Sequence, residues 1–157
     1  MENRQDYINY RFQRAEESYE DALILANKER WNSVVNRLYY ACFYAVIALL
    51  LQNKVETKSH DGARRQFGLT VVREGLVEKR LGKLYTNLFN IRHKGDYGDL
   101  LDFDEQTVTP LLPQVREFLN QIKLLLNTDQ TWFYATSNLL RPPAAQQDRT
   151  CRRTNTD

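Results

Sequence analysis

Arg92 and three residues that follow it have the clearest chemical potential in this chain. Arg92 and His93 end a predicted helix, and the turn after it contains Asp96 and Tyr97. A guanidinium binds phosphate or carboxylate groups, an imidazole exchanges protons near neutral pH, and a phenol forms hydrogen bonds. This combination is typical of a site that binds an anion or performs acid–base chemistry.

The helix that carries Arg92 predicts the direction of its side chain. One face of residues 76–93 is polar and is expected to meet water, and Lys94 continues it; this face carries Lys83, Asn87 and Asn90. Arg92 lies about 180° from that face, where a buried residue is expected, whereas His93 lies about 100° from Arg92 and should point elsewhere. An inward guanidinium needs a carboxylate, a phosphate or a set of carbonyls. Arg92 is therefore the strongest functional candidate, although ordinary helix-end chemistry accounts for His93 and Gly95.

A second polar edge is predicted on an apolar helix over residues 31–53. At about 100° per residue, one stripe of this helix carries Ser33, Arg37, Tyr40 and Tyr44. Residues 38–51 are otherwise apolar, and this run is too short for a bilayer span of roughly 20 residues, so the helix belongs at the centre of a bundle. The stripe has two interpretations: a binding edge, or an arginine that reaches solvent beside core tyrosines.

Four more helices are predicted around the central one, over residues 5–27, 60–73, 76–93 and about 104–126. Ser59 is a plausible N-cap for the third helix, and the fifth is expected to start near Asp104 with a kink at Pro110. No segment alternates like a strand. We therefore predict an all-α, up-down bundle of about five helices.

Composition sets limits on the function. The net charge of +2 over 157 residues does not by itself require a polyanionic partner. The two cysteines, Cys42 and Cys151, make no disulfide framework, and the two histidines make a zinc site unexpected.

The polar start of the chain does not resemble a signal peptide, so a cytoplasmic protein without a membrane partner is expected. Residues 1–127 should form the bundle, and 128–157 a partly docked, then disordered extension.

Three segments of this chain carry a resemblance to a known family. They are Asn36–Ala45, Lys58–Phe67 and Ile91–Tyr97, in that order along the chain. The sequence resembles the HEPN domain, in particular the small stand-alone prokaryotic proteins of that superfamily, from about Tyr7 to Leu126. The resemblance implies a helical homodimer with a polar cleft where the fourth helices of two subunits meet. It also implies a toxin–antitoxin module with a nucleotidyltransferase partner, in which the HEPN protein is often a ribonuclease.

The ribonuclease signature of that family is an arginine followed four to six residues later by a histidine. In this chain Tyr97 stands at that spacing from Arg92, and His93 is the immediate neighbour of Arg92. A phenol with an ordinary pKa near 10 is a poor base at pH 7. His60 could approach Arg92 only through folding. The sequence thus leaves open whether the protein is an enzyme.

Three functional hypotheses follow. The first is a nucleotidyltransferase partner protein without metal or cofactor whose dimer cleft binds nucleotide or RNA phosphate, with ligand-binding residues Arg37, Tyr40, Tyr44, His60, Arg92, Asp96 and Tyr97. The second is a metal-independent endoribonuclease, with catalytic candidates Arg92, His93 and Tyr97, and His60 as an alternative base. The third is a structural bundle in which Arg37, Arg92 and Asp96 form a buried network.

Overall fold

The computed structural model describes residues 3–93 and 102–128, and these residues form helices without any strand. The helices are α1 (Arg4–Asn27), α2 (Trp31–Gln52), α3 (His60–Phe67), α4 (Lys79–His93), α5 (Glu105–Val108) and α6 (Leu111–Asn127). A π-helical turn, Gly68–Val72, continues α3. The predicted all-α class is confirmed for the described residues, and the predicted extension beyond Thr128 lies outside them.

The central position of α2 is confirmed, because α2 contacts every other α-helix of the described bundle. Its residues Leu38, Cys42 and Leu49 are completely buried. The helix is long and apolar enough to cross a membrane, yet 61% of its most apolar 18-residue stretch is buried by the other helices. A core helix has the same composition as a membrane span, and burial in the bundle accounts for its apolar surface.

Local sequence explains where α3 and α5 begin and where α5 ends. The hydroxyl of Ser59 accepts a hydrogen bond from the Gly62 amide (2.9 Å), which caps α3 as predicted. The Asp104 carboxylate accepts one from the Thr107 amide (2.8 Å) and starts α5. The predicted kink near Pro110 is a break between α5 and α6. These two capping hydrogen bonds therefore fix the first residues of α3 and α5, which both pack against α2.

The third and fourth helices differ from the predicted ranges. The third is α-helical only to Phe67 and then widens into the π-helical turn. The fourth begins at Lys79 rather than at residue 76, because the chain first turns through Gly75, whose φ of 75° favours glycine. The start of α3 and the end of α4 nevertheless lie at the same part of α2, where His60 stacks on Phe43 and His93 contacts Tyr39.

Candidate functional site

Tyr39 and Tyr40 of α2 form the base of the candidate site. Their ring centroids are 5.2 Å apart in an edge-to-face arrangement. Tyr39 is completely buried, and its ring stacks on that of Tyr85 at 6.3 Å, whereas Tyr40 is only partly buried. Neighbouring residues on a helix point about 100° apart, so this pair presents one phenol to the core and one to the rim of the bundle.

Both histidines of the chain meet at this base. His60 stacks on Phe43 of α2, with ring centroids 4.1 Å apart, and His93 stacks on Phe89 of α4 at 4.2 Å. The two imidazole centroids are 5.4 Å apart, and His93 lies edge-to-face with Tyr39 at 5.5 Å. Folding therefore brings the first residue of α3 to the last residue of α4, at a distance that one small ligand can bridge.

Hydrogen bonds orient each imidazole. Nδ1 of His93 lies 3.0 Å from the carbonyl oxygen of Phe89, which can only accept, so Nδ1 carries the proton and Nε2 of the neutral ring is an acceptor. Nδ1 of His60 lies 2.8 Å from the hydroxyl of Tyr39. Burial raises the pKa of Tyr39, which keeps the phenol protonated and able to donate to neutral His60. In that tautomer, Nε2 of His60 carries a proton that it can donate to a ligand.

The charge of His60 is disfavoured in the folded protein. Burial lowers its pKa below the ordinary value, and electrostatic repulsion from the neighbouring His93 and Arg92 groups lowers it further. His60 is therefore suited to act as a neutral hydrogen-bond donor near pH 7. A bound anion would reverse this effect, because a negative charge nearby stabilises the imidazolium form.

Two arginines flank Tyr40. The Cζ atom of Arg37 is 5.2 Å from the centroid of the Tyr40 ring, and that of Arg92 is 5.9 Å from it. Nη2 of Arg92 donates a long hydrogen bond (3.4 Å) to the Tyr40 hydroxyl, and Arg37 donates to the side-chain oxygen of Asn36. Within residues 3–93 and 102–128 neither guanidinium forms a salt bridge. Two positive charges around one phenol favour an anionic ligand.

Two orientations predicted from helical geometry are wrong. Arg92 is exposed and extends over Tyr40 instead of pointing into the core, because α4 ends one residue later at the rim of the bundle. His93 does not point away from the Arg92 site. It turns to Tyr39 while Arg92 turns to Tyr40, and these two tyrosines are themselves in contact.

The other predicted site residues divide into two groups. Arg37, Tyr40 and His60 join the cluster described above, and Tyr44 borders it, with its ring 5.9 Å from that of Tyr40. Tyr44 also contacts α1, where Cζ of Arg14 lies 5.8 Å from its ring. The predicted roles of Asp96 and Tyr97 remain predictions, because both residues lie outside the described ranges.

Three residues of the site were not predicted as such: Tyr39, Phe43 and Phe89. Tyr39 and Phe43 lie in the apolar run of α2, Phe89 follows the buried Leu88 on α4, and each looks like an ordinary core residue. A signal is nevertheless present, because Tyr39 and Phe43 lie four residues apart, as do Phe89 and His93. Residues at this spacing share a helix face, so the sequence contains two aromatic ledges on which histidines can stack.

Comparison with known proteins supports one family. Residues 8–125 match the family model of the HEPN domain. A UPF0332 protein of Thermotoga maritima is 40% identical over 126 residues, which cover 80% of this chain and 96% of that protein. "Putative toxin MJ0605" of Methanocaldococcus jannaschii is 34% identical over 71% of this chain and 83% of its own length. A second protein of that organism, "Putative toxin MJ0142", is 30% identical over 73% of this chain and 78% of its own length. This chain therefore belongs to the HEPN domain family.

Proposed function

We propose that this chain is a HEPN component of a toxin–antitoxin module and that it binds the phosphate groups of RNA or a nucleotide at Arg37 and Arg92. The observation that carries the proposal is the placement of both guanidiniums around the Tyr40 ring, at 5.2 and 5.9 Å, without a salt bridge from the described residues. A phosphate between them would accept hydrogen bonds from both guanidiniums. Its negative charge would offset the repulsion between the two cations.

The surrounding side chains suit the rest of a nucleotide. Nε2 of neutral His60 can donate to a phosphate oxygen, and the partly exposed Tyr40 ring offers an aromatic surface for a base. Tyr44 lies beside Tyr40 and can extend that surface. Asp96 and Tyr97, which follow Arg92 closely in the chain, belong to the same proposed site, with Asp96 orienting an arginine.

The module and its partner are part of the proposal. Two relatives carry the word toxin in their names, which supports a role in toxin–antitoxin biology. The HEPN family membership supports a nucleotidyltransferase as the partner and a cytoplasmic homodimer as the working form. Exposure of Arg92 and His93 at the end of α4 leaves them accessible to a second subunit or to RNA.

A binding assay tests this proposal. Labelled RNA and nucleotides are titrated with wild type, Arg92→Ala and Arg37→Ala, and folding is checked by circular dichroism. We expect both variants to lose affinity while they remain folded. Arg30→Ala is the matched control, because Arg30 is exposed before α2 and its side chain makes no capping hydrogen bond. Equal affinities for Arg92→Ala and Arg30→Ala would contradict the proposal, and unfolding of Arg92→Ala would favour a structural network.

A second candidate function is RNA cleavage by the same cluster, favoured by the 5.4 Å separation of the two imidazoles. Nε2 of His93 would take the proton of a ribose 2′-hydroxyl, and the 2′-oxygen would attack the adjacent phosphorus. The bond from phosphorus to the 5′-oxygen would break, and that oxygen would take a proton from His60, whose imidazolium form the bound phosphate would stabilise. Arg92 would stabilise the charge on the phosphate oxygens. This use of His93 as the base does not require the missing arginine-to-histidine spacing.

Cleavage can be separated from binding with histidine variants. RNA is incubated with purified wild type, His93→Gln or Arg92→Ala in the presence of a chelator. Electrophoresis then measures the cleavage products. Metal-independent cleavage should be lost in both variants, while His93→Gln should retain RNA affinity because it keeps both arginines. If wild type binds RNA without cleaving it, the proposed binding function stands and the proposed ribonuclease activity is excluded.

A further inference from the structure

A cationic cavity, separate from the candidate site, lies between the end of α3, the π-helical turn and α4. Its volume is about 420 Å³, and its floor includes Phe67 and Val72. Its rim carries Arg64, Arg73, Lys79 and Lys83, and no carboxylate of the described residues lines it. A cavity with an apolar floor and only positive charges at its rim matches a ligand that combines an apolar ring with negative charge.

The floor is built by close packing of α4 against the π-helical turn. A Cβ atom at Gly82 would lie 2.9 Å from Cγ2 of Val72, so only glycine allows this approach. Thr86 and Asn87, four and five residues after Gly82 on α4, add hydrogen-bonding groups to the wall. The cavity thus offers apolar, polar and cationic surfaces within one nucleotide-sized space.

The rim charges are largely uncompensated. Arg64 forms a salt bridge with Asp61 at 2.7 Å, which reduces its contribution. Arg73, Lys79 and Lys83 form no salt bridge among the residues that the structure describes. All three are exposed. The net charge of the whole chain is only +2, so this concentration of positive charge is local.

A chain of contacts joins this cavity to the candidate site. Cζ of Arg64 lies 5.0 Å from the centroid of the Phe89 ring, and Phe89 stacks on His93 at 4.2 Å. Gly82, which lines the cavity, and His93 lie on the same face of α4, eleven residues apart, which corresponds to about 17 Å along the helix axis. A strand of several nucleotides can cover that length, whereas a single nucleotide cannot.

We infer that the cavity is a second RNA-binding subsite, in which one base contacts the apolar floor while neighbouring phosphates contact Lys79, Lys83 and Arg73. This inference rests on the proposed function, because it assigns single-stranded RNA as the ligand that extends from Arg92 along α4. The strand then follows the side of α4 that faces α3, and Lys83 and Asn87 contact it at the edge of the cavity. An acidic protein segment would match the charge alone, but it would leave the apolar floor unused.

The test compares a long and a short ligand. Fluorescence anisotropy measures binding of an oligouridine of about 12 nucleotides and of a uridine dinucleotide, at several salt concentrations. The variant Lys79→Gln/Lys83→Gln should bind the long ligand several-fold more weakly, and its salt slope should fall by roughly 1.4, because each phosphate contact contributes about 0.7 for a single strand. Dinucleotide binding should not change.

Lys123→Gln is the matched control, because this exposed lysine lies on α6 beside Asn9 and Gln13 of α1. If the double variant binds the long RNA as the control does, the inference is overturned, and the proposed function stands as long as Arg92→Ala weakens both ligands. If the double variant weakens long-RNA binding while Arg92→Ala changes neither ligand, the cavity binds RNA and the proposed function fails. Absence of wild-type binding to both ligands rejects both.

Discussion

Two arginine–tyrosine pairs in this bundle differ in what surrounds the guanidinium. Arg116 of α6 lies over Tyr19 of α1, 4.8 Å from the ring centroid, and donates two hydrogen bonds of 2.8 Å to the carboxylate of Glu16. Arg92 lies over Tyr40 at 5.9 Å and donates one long hydrogen bond to a phenol. The first guanidinium is compensated by a carboxylate, whereas the second has none among the described residues.

This difference separates a structural arginine from a candidate ligand-binding arginine. The bidentate pair with Glu16 joins α1 to α6 and compensates the charge of Arg116 within the fold. At Arg92 the neighbouring groups are Tyr40, a second arginine and two histidines, and none of these supplies negative charge near pH 7. The two arginines also differ in burial, because Arg116 is partly buried and Arg92 is exposed, but the carboxylate beside Arg116 is the difference that bears on ligand binding.

The largest expected effect is the loss of RNA affinity in Arg92→Ala. A hydrogen bond to a charged group contributes about 1.5–3 kcal/mol, which corresponds to roughly ten- to hundredfold in affinity. Unfolding in urea should show a stability within about 0.5 kcal/mol of wild type, since Arg92 is exposed. A large loss of stability in this variant would place Arg92 in the same class as Arg116 and remove the distinction.

Glu16→Ala should give the opposite pattern. It leaves the partly buried Arg116 without its carboxylate, and we expect the free energy of unfolding to fall by about 1–2 kcal/mol after screening by solvent. RNA affinity should equal that of wild type. The control is Glu17→Ala, whose carboxylate forms an exposed pair with Arg14 one turn away and should contribute about 0.5 kcal/mol or less.

His60 should make the free energy of unfolding of the protein depend on pH. Its pKa is lower in the folded protein than in the unfolded chain, mainly because of burial, so the unfolded chain takes up the proton first. Stability is therefore full above the unfolded pKa of about 6.5 and falls as the pH drops from there toward the folded pKa. Urea unfolding at neutral and mildly acidic pH should show a smaller loss for His60→Gln than for wild type. Equal losses would mean that the ring is not desolvated.

The smallest effect is expected at Tyr85. Its buried hydroxyl forms no hydrogen bond with the residues that the structure describes, so Tyr85→Phe should leave the stability unchanged or raise it by up to about 1 kcal/mol. The matched variant is Tyr39→Phe, which removes the hydrogen bond to His60 and should lower stability by about 1 kcal/mol. Thermal unfolding compares the stabilities of the two variants with that of wild type. Equal stabilities of the two variants would show that the hydrogen bond from Tyr39 to His60 does not stabilise the fold.

Much of the fold could be predicted because helices depend on local patterns. The apolar run around Leu38 and Cys42 predicted the central helix, and the Ser59 cap predicted the start of α3. The boundaries at Phe67 and Lys79 were less predictable, because a π-helical turn and a glycine turn interrupt a continuous helical pattern. The sequence also contained the Arg37, Tyr40 and Arg92 candidates, but it could not show that both arginines lie around the same ring.

The sequence by itself determined the family, the helical class and the identities of the residues that can bind a phosphate. These depend on composition, periodicity and motifs, which are properties of neighbouring residues. Only the tertiary structure decided that His60 meets His93, that Arg92 lies exposed at the rim, and that a cationic cavity lies between the π-helical turn and α4. Each of these depends on how α3 and α4 pack against α2. Such packing is set by contacts between residues far apart in the chain, which no local pattern specifies.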